Sequence, residues 1–209
     1  MSDRYQTVLL FGPPGVGKGT QGKILAEIPG FFHSSTGEIF RNLDSTSELG
    51  KTFFQFSSRG ELVPDDVTIR IWHQNVYANT ILGLFKPQQD LLVLDGLPRS
   101  VKQARLLYRY VDVLKIIHLV CRDKDALFER MKRRALKENR ADDAKDDVIR
   151  RRFEVYENQT FPVLEYYPKN AVVEVDAMGS PALVLSHILN AVVTVQNEHF
   201  QKPERAAMR

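Results

Sequence analysis

Between a short apolar run, Thr7 to Phe11, and a helical pattern that opens at Lys18 lies Gly12-Pro13-Pro14-Gly15-Val16-Gly17-Lys18-Gly19-Thr20-Gln21, and no other segment constrains the chain as strongly. Its Gly-x-x-x-x-Gly-Lys spacing, placed where a strand feeds a helix, is that of a phosphate-binding loop. Glycines let backbone amides turn inward around phosphate oxygens, the helix N-terminus adds its dipole, and a lysine at Lys18 brings a mobile positive charge. The strict motif carries Ser or Thr directly after the lysine; here Gly19 intervenes before Thr20, which makes this a variant. The Thr20 hydroxyl could still reach a magnesium ion carried by the phosphates. The bland alternative is a glycine-rich turn with no ligand, which the strand-to-helix setting disfavours.

The rest of the chain fits an α/β reading. Thr7 to Phe11, Asp90 to Leu94, Val113 to Val120 and Ala171 to Val175 are short apolar runs rich in branched residues, as expected of buried parallel strands. Helical patterns fall between and after them, at about 18–27, 66–82, 100–110, 124–137, 146–166 and 181–195. Such alternation predicts a three-layer α/β/α domain with a parallel central sheet. At 209 residues one domain over 1–209 is expected. Two stretches fit the sheet less well and read as inserts: a helical one at about 35–64 and a short charged one at about 134–144. The polar tail after Asn197 is expected to carry no regular structure.

Composition excludes several classes. No apolar run approaches the roughly 18 residues that span a bilayer, and the first residues lead directly into a strand pattern, so a cytoplasmic protein without membrane attachment is expected. A single cysteine, Cys121, cannot form a disulfide framework or a cysteine zinc site within the chain; its apolar neighbours place it at a buried strand end. A net charge of +3 is too small to argue for nucleic acid. Placement matters more, because Arg130, Lys132, Arg133, Arg134, Lys137, Arg140, Arg150, Arg151 and Arg152 crowd one region, as an anion site or a solvated face.

Three further segments carry polar groups in suggestive places. In His33-Ser34-Ser35-Thr36-Gly37-Glu38-Ile39-Phe40-Arg41, Ser35 and Glu38 have capping-box spacing, so a helix should start there with or without a ligand. His33 reads as a surface or packing residue, since no second ligand-type side chain stands at a metal spacing. Gly60-Glu61-Leu62-Val63-Pro64-Asp65 precedes a helix. Leu91-Leu92-Val93-Leu94-Asp95-Gly96-Leu97-Pro98-Arg99, followed by Gln103, ends a buried run in a carboxylate where ligands collect at the carboxyl edge of a parallel sheet. The alternative for Asp95 is a helix N-cap, with Arg99 at the surface.

Taken together, Gly-x-Pro-Gly-x-Gly-Lys-Gly-Thr-Gln, Ser-Thr-Gly with Arg41, Asp95-Gly-Leu-Pro-Arg99 with Gln103, and Arg140-Ala-Asp-Asp resemble the adenylate kinases, over nearly all of Gly12 to Tyr167. The resemblance implies reversible transfer of a phosphoryl group from magnesium-ATP to AMP. It places ATP on Gly15, Val16, Gly17, Lys18, Gly19, Thr20, Arg130 and Arg134. AMP would lie against Thr36, Arg41, Glu61, Leu62, Val63, Gly96, Leu97, Pro98, Arg99, Gln103, Arg140 and Arg152. Lys18, Arg99, Arg134, Arg140 and Arg152 would carry the catalysis, and Thr20 and Asp95 would hold magnesium, chiefly through water. Arg151 is the alternative to Arg152, because 144–147 is one residue longer than the usual pattern. The adenine of ATP should lie near 175–181, on a residue the sequence does not identify.

The lid, with about five residues between Arg134 and Arg140, is of the short kind, so no structural zinc is expected. Leu97 stands where these kinases usually carry phenylalanine. A UMP/CMP kinase is the nearest rival, against which Thr36 argues because those relatives usually carry alanine there. A noncatalytic ATP-binding regulator would need no second nucleotide site. The partners implied are ATP, AMP and ADP, bound by a monomer.

Overall fold

The computed structural model describes residues 4–138 and 145–201. Five strands, β1 Tyr5–Phe11, β2 Phe31–Ser35, β3 Leu91–Asp95, β4 Val111–Val120 and β5 Val172–Asp176, form one parallel sheet in the order β2-β3-β1-β4-β5. Side chains alternate across each strand, so β1 serves two cores at once. Val8 and Leu10 pack on one face with Leu25, Leu127, Ile188 and Val192, while Leu9 and Phe11 pack on the other with Trp72, Val76, Leu107 and Val163. Burial on both faces is why β3 reads as a continuous apolar run.

The helices are α1 Lys18–Ala26, α2 Thr36–Arg41, α3 Glu48–Ser57, α4 Asp65–Ile81, α5 Val101–Leu107, α6 Lys124–Lys137, α7 Asp146–Val155 and α8 Pro181–Gln201. The expected three-layer parallel architecture is what forms. Four details differ from the sequence expectation, each for a local reason.

The first is β2, which the periodicity did not suggest. Phe31–Ser35 is a short edge strand paired only with β3, and its last three residues, His33, Ser34 and Ser35, are polar. Second, the helix expected over 146–166 is α-helical only to Val155; a π turn, Tyr156–Thr160, and a 3-10 stretch, Phe161–Tyr166, follow. Pro162 cannot donate the amide that would continue the α ladder. Third, the Ser35–Glu38 capping box does not form: the Ser35 side chain makes no cap bond, and Glu38 pairs with Lys23 at 2.7 Å.

Fourth, the described part of the polar tail is more ordered than its composition suggests. α8 continues to Gln201, His199 is buried with Nδ1 2.7 Å from Gln6 Oε1, and Gln196 donates to the Pro29 carbonyl at 3.0 Å. Gly30 makes room for this, since a Cβ there would lie 2.2 Å from the Phe200 ring. Cys121 is half-buried rather than buried, with its Sγ 3.1 Å from Met178 Sδ. No helix among the described residues is long and apolar enough to cross a membrane.

Candidate active site

The carboxyl ends of β1 and β3 face one cleft of about 860 Å³, near the upper end of small-molecule sites. Every site residue expected from the sequence lines it except Arg140, which lies outside the described residues. One side of the cleft is the loop between β1 and α1, with Gly15 to Thr20. Gly12, at φ 142°, is where this loop must leave the strand: a Cβ there would stand 2.4 Å from the Leu119 carbonyl oxygen. Gly15 and Gly17 also take positive φ, the left-handed geometry that turns amides inward.

Lys18 Nζ donates to the carbonyl oxygens of Gly12 at 2.8 Å and Pro13 at 3.0 Å. Its surface is only partly covered, but protein surrounds it at the floor of the cleft. Burial pulls its pKa down to about 8; Asp95 acts in the other direction, and the Arg99 and Arg134 guanidiniums add to the fall.

Asp95 ends β3 and is 7% exposed. Burial alone would raise its carboxyl, but the adjacent His33 ring and the Lys18 and Arg99 charges outweigh it and hold Asp95 below the usual carboxylate range. His33 Nε2 stands 3.8 Å from Asp95 Oδ2, an electrostatic contact too long for a hydrogen bond. Packing was half of the sequence reading of His33; its place against Asp95 was not foreseen. Gly22 in α1 leaves the space the ring fills, since a Cβ there would lie 2.3 Å from His33 Nε2.

An ionised Asp95 and the Thr20 hydroxyl share the cleft, and Asp95 Oδ2 lies 3.6 Å from where a Gly19 Cβ would stand. These hard oxygen donors fit magnesium that arrives with most of its shell as phosphate and water. Among the described residues no group of three or more His, Cys, Asp or Glu gathers to hold an ion without such a ligand.

The opposite side of the cleft is built from α2, α3 and the loops before α4 and α5. The Thr36 hydroxyl, 3% exposed, donates to the Asp95 carbonyl at 3.1 Å. Arg41 folds over Gly37, where a Cβ would stand 2.9 Å from a guanidinium nitrogen. Glu61, Leu62 and Val63 line the wall beside Phe53 and Ser57, which the sequence reading did not single out. Beyond them come Gly96, Leu97 and Pro98.

Arg99 is held from three directions. Its amide donates to Gln103 Oε1 at 2.7 Å, its Nε donates to the Gly96 carbonyl at 2.8 Å, and its carbonyl accepts from the Thr160 hydroxyl at 2.9 Å. The cap of α5 is Ser100, whose Oγ accepts from the Gln103 amide at 3.0 Å, rather than Asp95.

The cations of the third wall come from two helices. Arg130 and Arg134, one turn apart on α6, and Arg152 on α7 line the cleft. Arg151 instead pairs with Glu154 at 3.0 Å on the outer surface. At the donor-loop end Ala177, Gly179 and Pro181 reach the cleft, with Gln21 Nε2 donating to the Pro181 carbonyl at 3.0 Å.

A glycine loop after the first strand of a parallel sheet, with a lysine at its floor and arginines on two other walls, defines a P-loop protein built to handle nucleotide phosphates. The profile of the adenylate kinase family matches residues 10–172. Adenylate kinases of Kocuria rhizophila and Mycobacterium tuberculosis are each 38% identical to the chain, covering 88% of it and 97% and 98% of the relative. That of a Synechococcus strain is 36% identical, with 88% and 96% covered. The chain belongs to the adenylate kinase family, and is thus a nucleoside monophosphate kinase.

Proposed function

We propose that the chain catalyses reversible transfer of the terminal phosphoryl group of magnesium-ATP to AMP, giving two ADP. The observation that carries this reading is that one cleft is lined by two distinct sets of groups suited to phosphate, the Gly12–Thr20 loop with Lys18 and the wall with Arg41 and Arg99. An AMP phosphate oxygen attacks the γ-phosphorus in line as the bond to the β-phosphate oxygen breaks, and no covalent enzyme intermediate is needed.

In this reading Gly15, Val16, Gly17, Lys18, Gly19 and Thr20 cradle the ATP phosphates, with Arg130 and Arg134 beside them. Thr36, Arg41, Glu61, Leu62, Val63, Gly96, Leu97, Pro98, Arg99 and Gln103 hold AMP, and Arg140 and Arg152 complete its phosphate site. Lys18, Arg99, Arg134, Arg140 and Arg152 offset the charge that spreads over the equatorial oxygens of the group in transit. Thr20 and Asp95 would hold magnesium, in large part through water, and the ion would supply neutralising charge to the ATP phosphates. The segments at about 35–64 and 134–144, the latter outside the described residues over 139–144, would close over the nucleotides and keep water from taking the phosphoryl group. The enzyme acts in the cytoplasm and as a single chain, the latter in keeping with one copy supplying every assigned group among the described residues.

The test is ADP formation by the purified chain from magnesium-ATP with AMP, CMP, UMP or GMP, against a control without acceptor. Preference for AMP is expected. Preference for CMP or UMP would move the assignment to the sister kinases, and ATP binding without acceptor-dependent turnover would discard phosphotransfer.

A further inference from the structure

The π turn Tyr156–Thr160 is bonded to three separate elements. Tyr156 Oη meets His118 Nε2 of β4 at 3.2 Å, Glu157 pairs with Lys124 at the start of α6 at 2.5 Å, and Thr160 donates to the Arg99 carbonyl at 2.9 Å. Thr160 is 8% exposed and its bond is partly buried, whereas the Glu157–Lys124 pair lies at the surface. This bond bridges positions 61 residues apart in sequence.

The turn continues the same helical rod that carries Arg152. At the separation of Arg152 and Thr160 an uninterrupted α-helix would set them about 80° apart around the axis. A π turn is wider, and single π turns inside helices are rare and concentrate at functional sites. Here one rod brings both Arg152 and Thr160 to the cleft, with the Thr160 hydroxyl on the Arg99 carbonyl. With Gln103 on the Arg99 amide, Thr160 completes a clamp on both backbone hydrogen-bonding groups of that residue.

We propose that Thr160 is a positioning residue for phosphoryl transfer, its hydroxyl setting the distance between Arg99 on the β3–α5 loop and Arg152 on α7. Those two arginines come from different elements, and catalysis by positioned charge tolerates little error: a misplacement of about 1 Å can cost about a hundredfold in rate. The inference rests on the phosphotransfer reading above. It adds a residue at the edge of the cleft that is assigned no nucleotide contact above and acts through Arg99.

The experiment compares Thr160→Val, which keeps the shape and removes the donor, with Thr160→Ser, which keeps the donor. Steady-state ADP formation is measured per folded enzyme, with Tm followed in parallel. Thr160→Val should lower kcat about 10- to 100-fold with KM for ATP within about twofold, and Thr160→Ser should restore kcat to within about threefold of the unmodified chain. If the valine variant does not fold, Thr160→Ala carries the same comparison. A donor-less variant with unchanged kcat and a lower Tm would make Thr160 merely structural and overturn the proposal, as would a serine variant as impaired as valine. An unmodified chain without AMP-dependent turnover would instead remove the phosphotransfer reading, and this inference with it.

Discussion

Lys18 Nζ is bonded to the carbonyl of Gly12 at 2.8 Å, so the cation of the phosphate loop is folded back onto the residue where that loop leaves β1. The ammonium is bonded to two backbone oxygens of its own loop, those of Gly12 and Pro13. Phosphate oxygens would offer it stronger, charge-assisted bonds than these neutral carbonyls.

Removing that charge should therefore be felt in turnover far more than in folding. Lys18→Ala is expected to lower kcat by about two decades or more, with an unchanged circular dichroism spectrum. Near-normal turnover in the folded variant would exclude Lys18 from the chemistry.

The depressed pKa of Lys18, about 8, gives a second outcome. Bound phosphates favour the ammonium and raise its pKa, so between about pH 8 and 10 ATP binding should take up a proton, and below about pH 7 it should take up none through this group. Calorimetry in buffers of different ionisation enthalpy reads this directly. For stability the sign follows from the folded pKa lying below the unfolded one: the buried charge is a cost below about pH 8 that is relieved as pH rises toward 10.5. Buffer-independent binding heats at pH 8.5 would contradict the shift.

Adjacent arginines on α7 should behave differently. Arg152 lines the cleft, whereas Arg151 is paired with Glu154 outside it. Arg152→Ala is expected to cost about three decades of kcat or more, in the range of a transition-state arginine. Arg151→Ala removes an exposed pair that contributes about 1 kcal/mol at most, so its kcat should stay within about threefold. The reverse ranking would reassign the phosphate contact.

Gly22→Ala separates helix propensity from packing. In an ordinary helix interior the change gains about 0.5–1 kcal/mol. Here the added methyl meets the buried His33 ring at 2.3 Å, so a net loss of about 1–2 kcal/mol is expected in urea unfolding. A stabilised variant would show that the ring has room to leave Asp95.

Ser100 both caps α5 and donates to Asp65 Oδ1 at 2.9 Å, joining the Arg99 loop to the start of α4. Ser100→Ala should cost about 1 kcal/mol for the cap, which lowers Tm by about 2–4 °C in a domain of this size. An unchanged Tm would mean that water replaces the hydroxyl on both sides.

Much of this protein was legible in its sequence because the information was local. Strand-to-helix alternation is written in apolar periodicity, the phosphate loop in contiguous glycines that only one kind of backbone path requires, and the carboxylate at Asp95 in the end of a buried run. What failed locally also had physical causes. β2 is short, polar over its last three residues and stabilised by one neighbour, so it lacks the signature of a central strand. The end of α8 looks like polar tail until Gln6, Pro29 and Gly30 from the other end of the chain are packed against it.

The residue types and spacing by themselves determined the fold class, the family and the set of charged groups available to the site. Only the tertiary structure decided how those groups stand to one another: that Arg152 rather than Arg151 faces the cleft, that His33 sits beside Asp95, and that Thr160 holds the Arg99 carbonyl from 61 residues away. Such relations depend on helix phase, on one π turn and on the absence of a Cβ at Gly22. A change of phase or a single added methyl alters them without altering any motif.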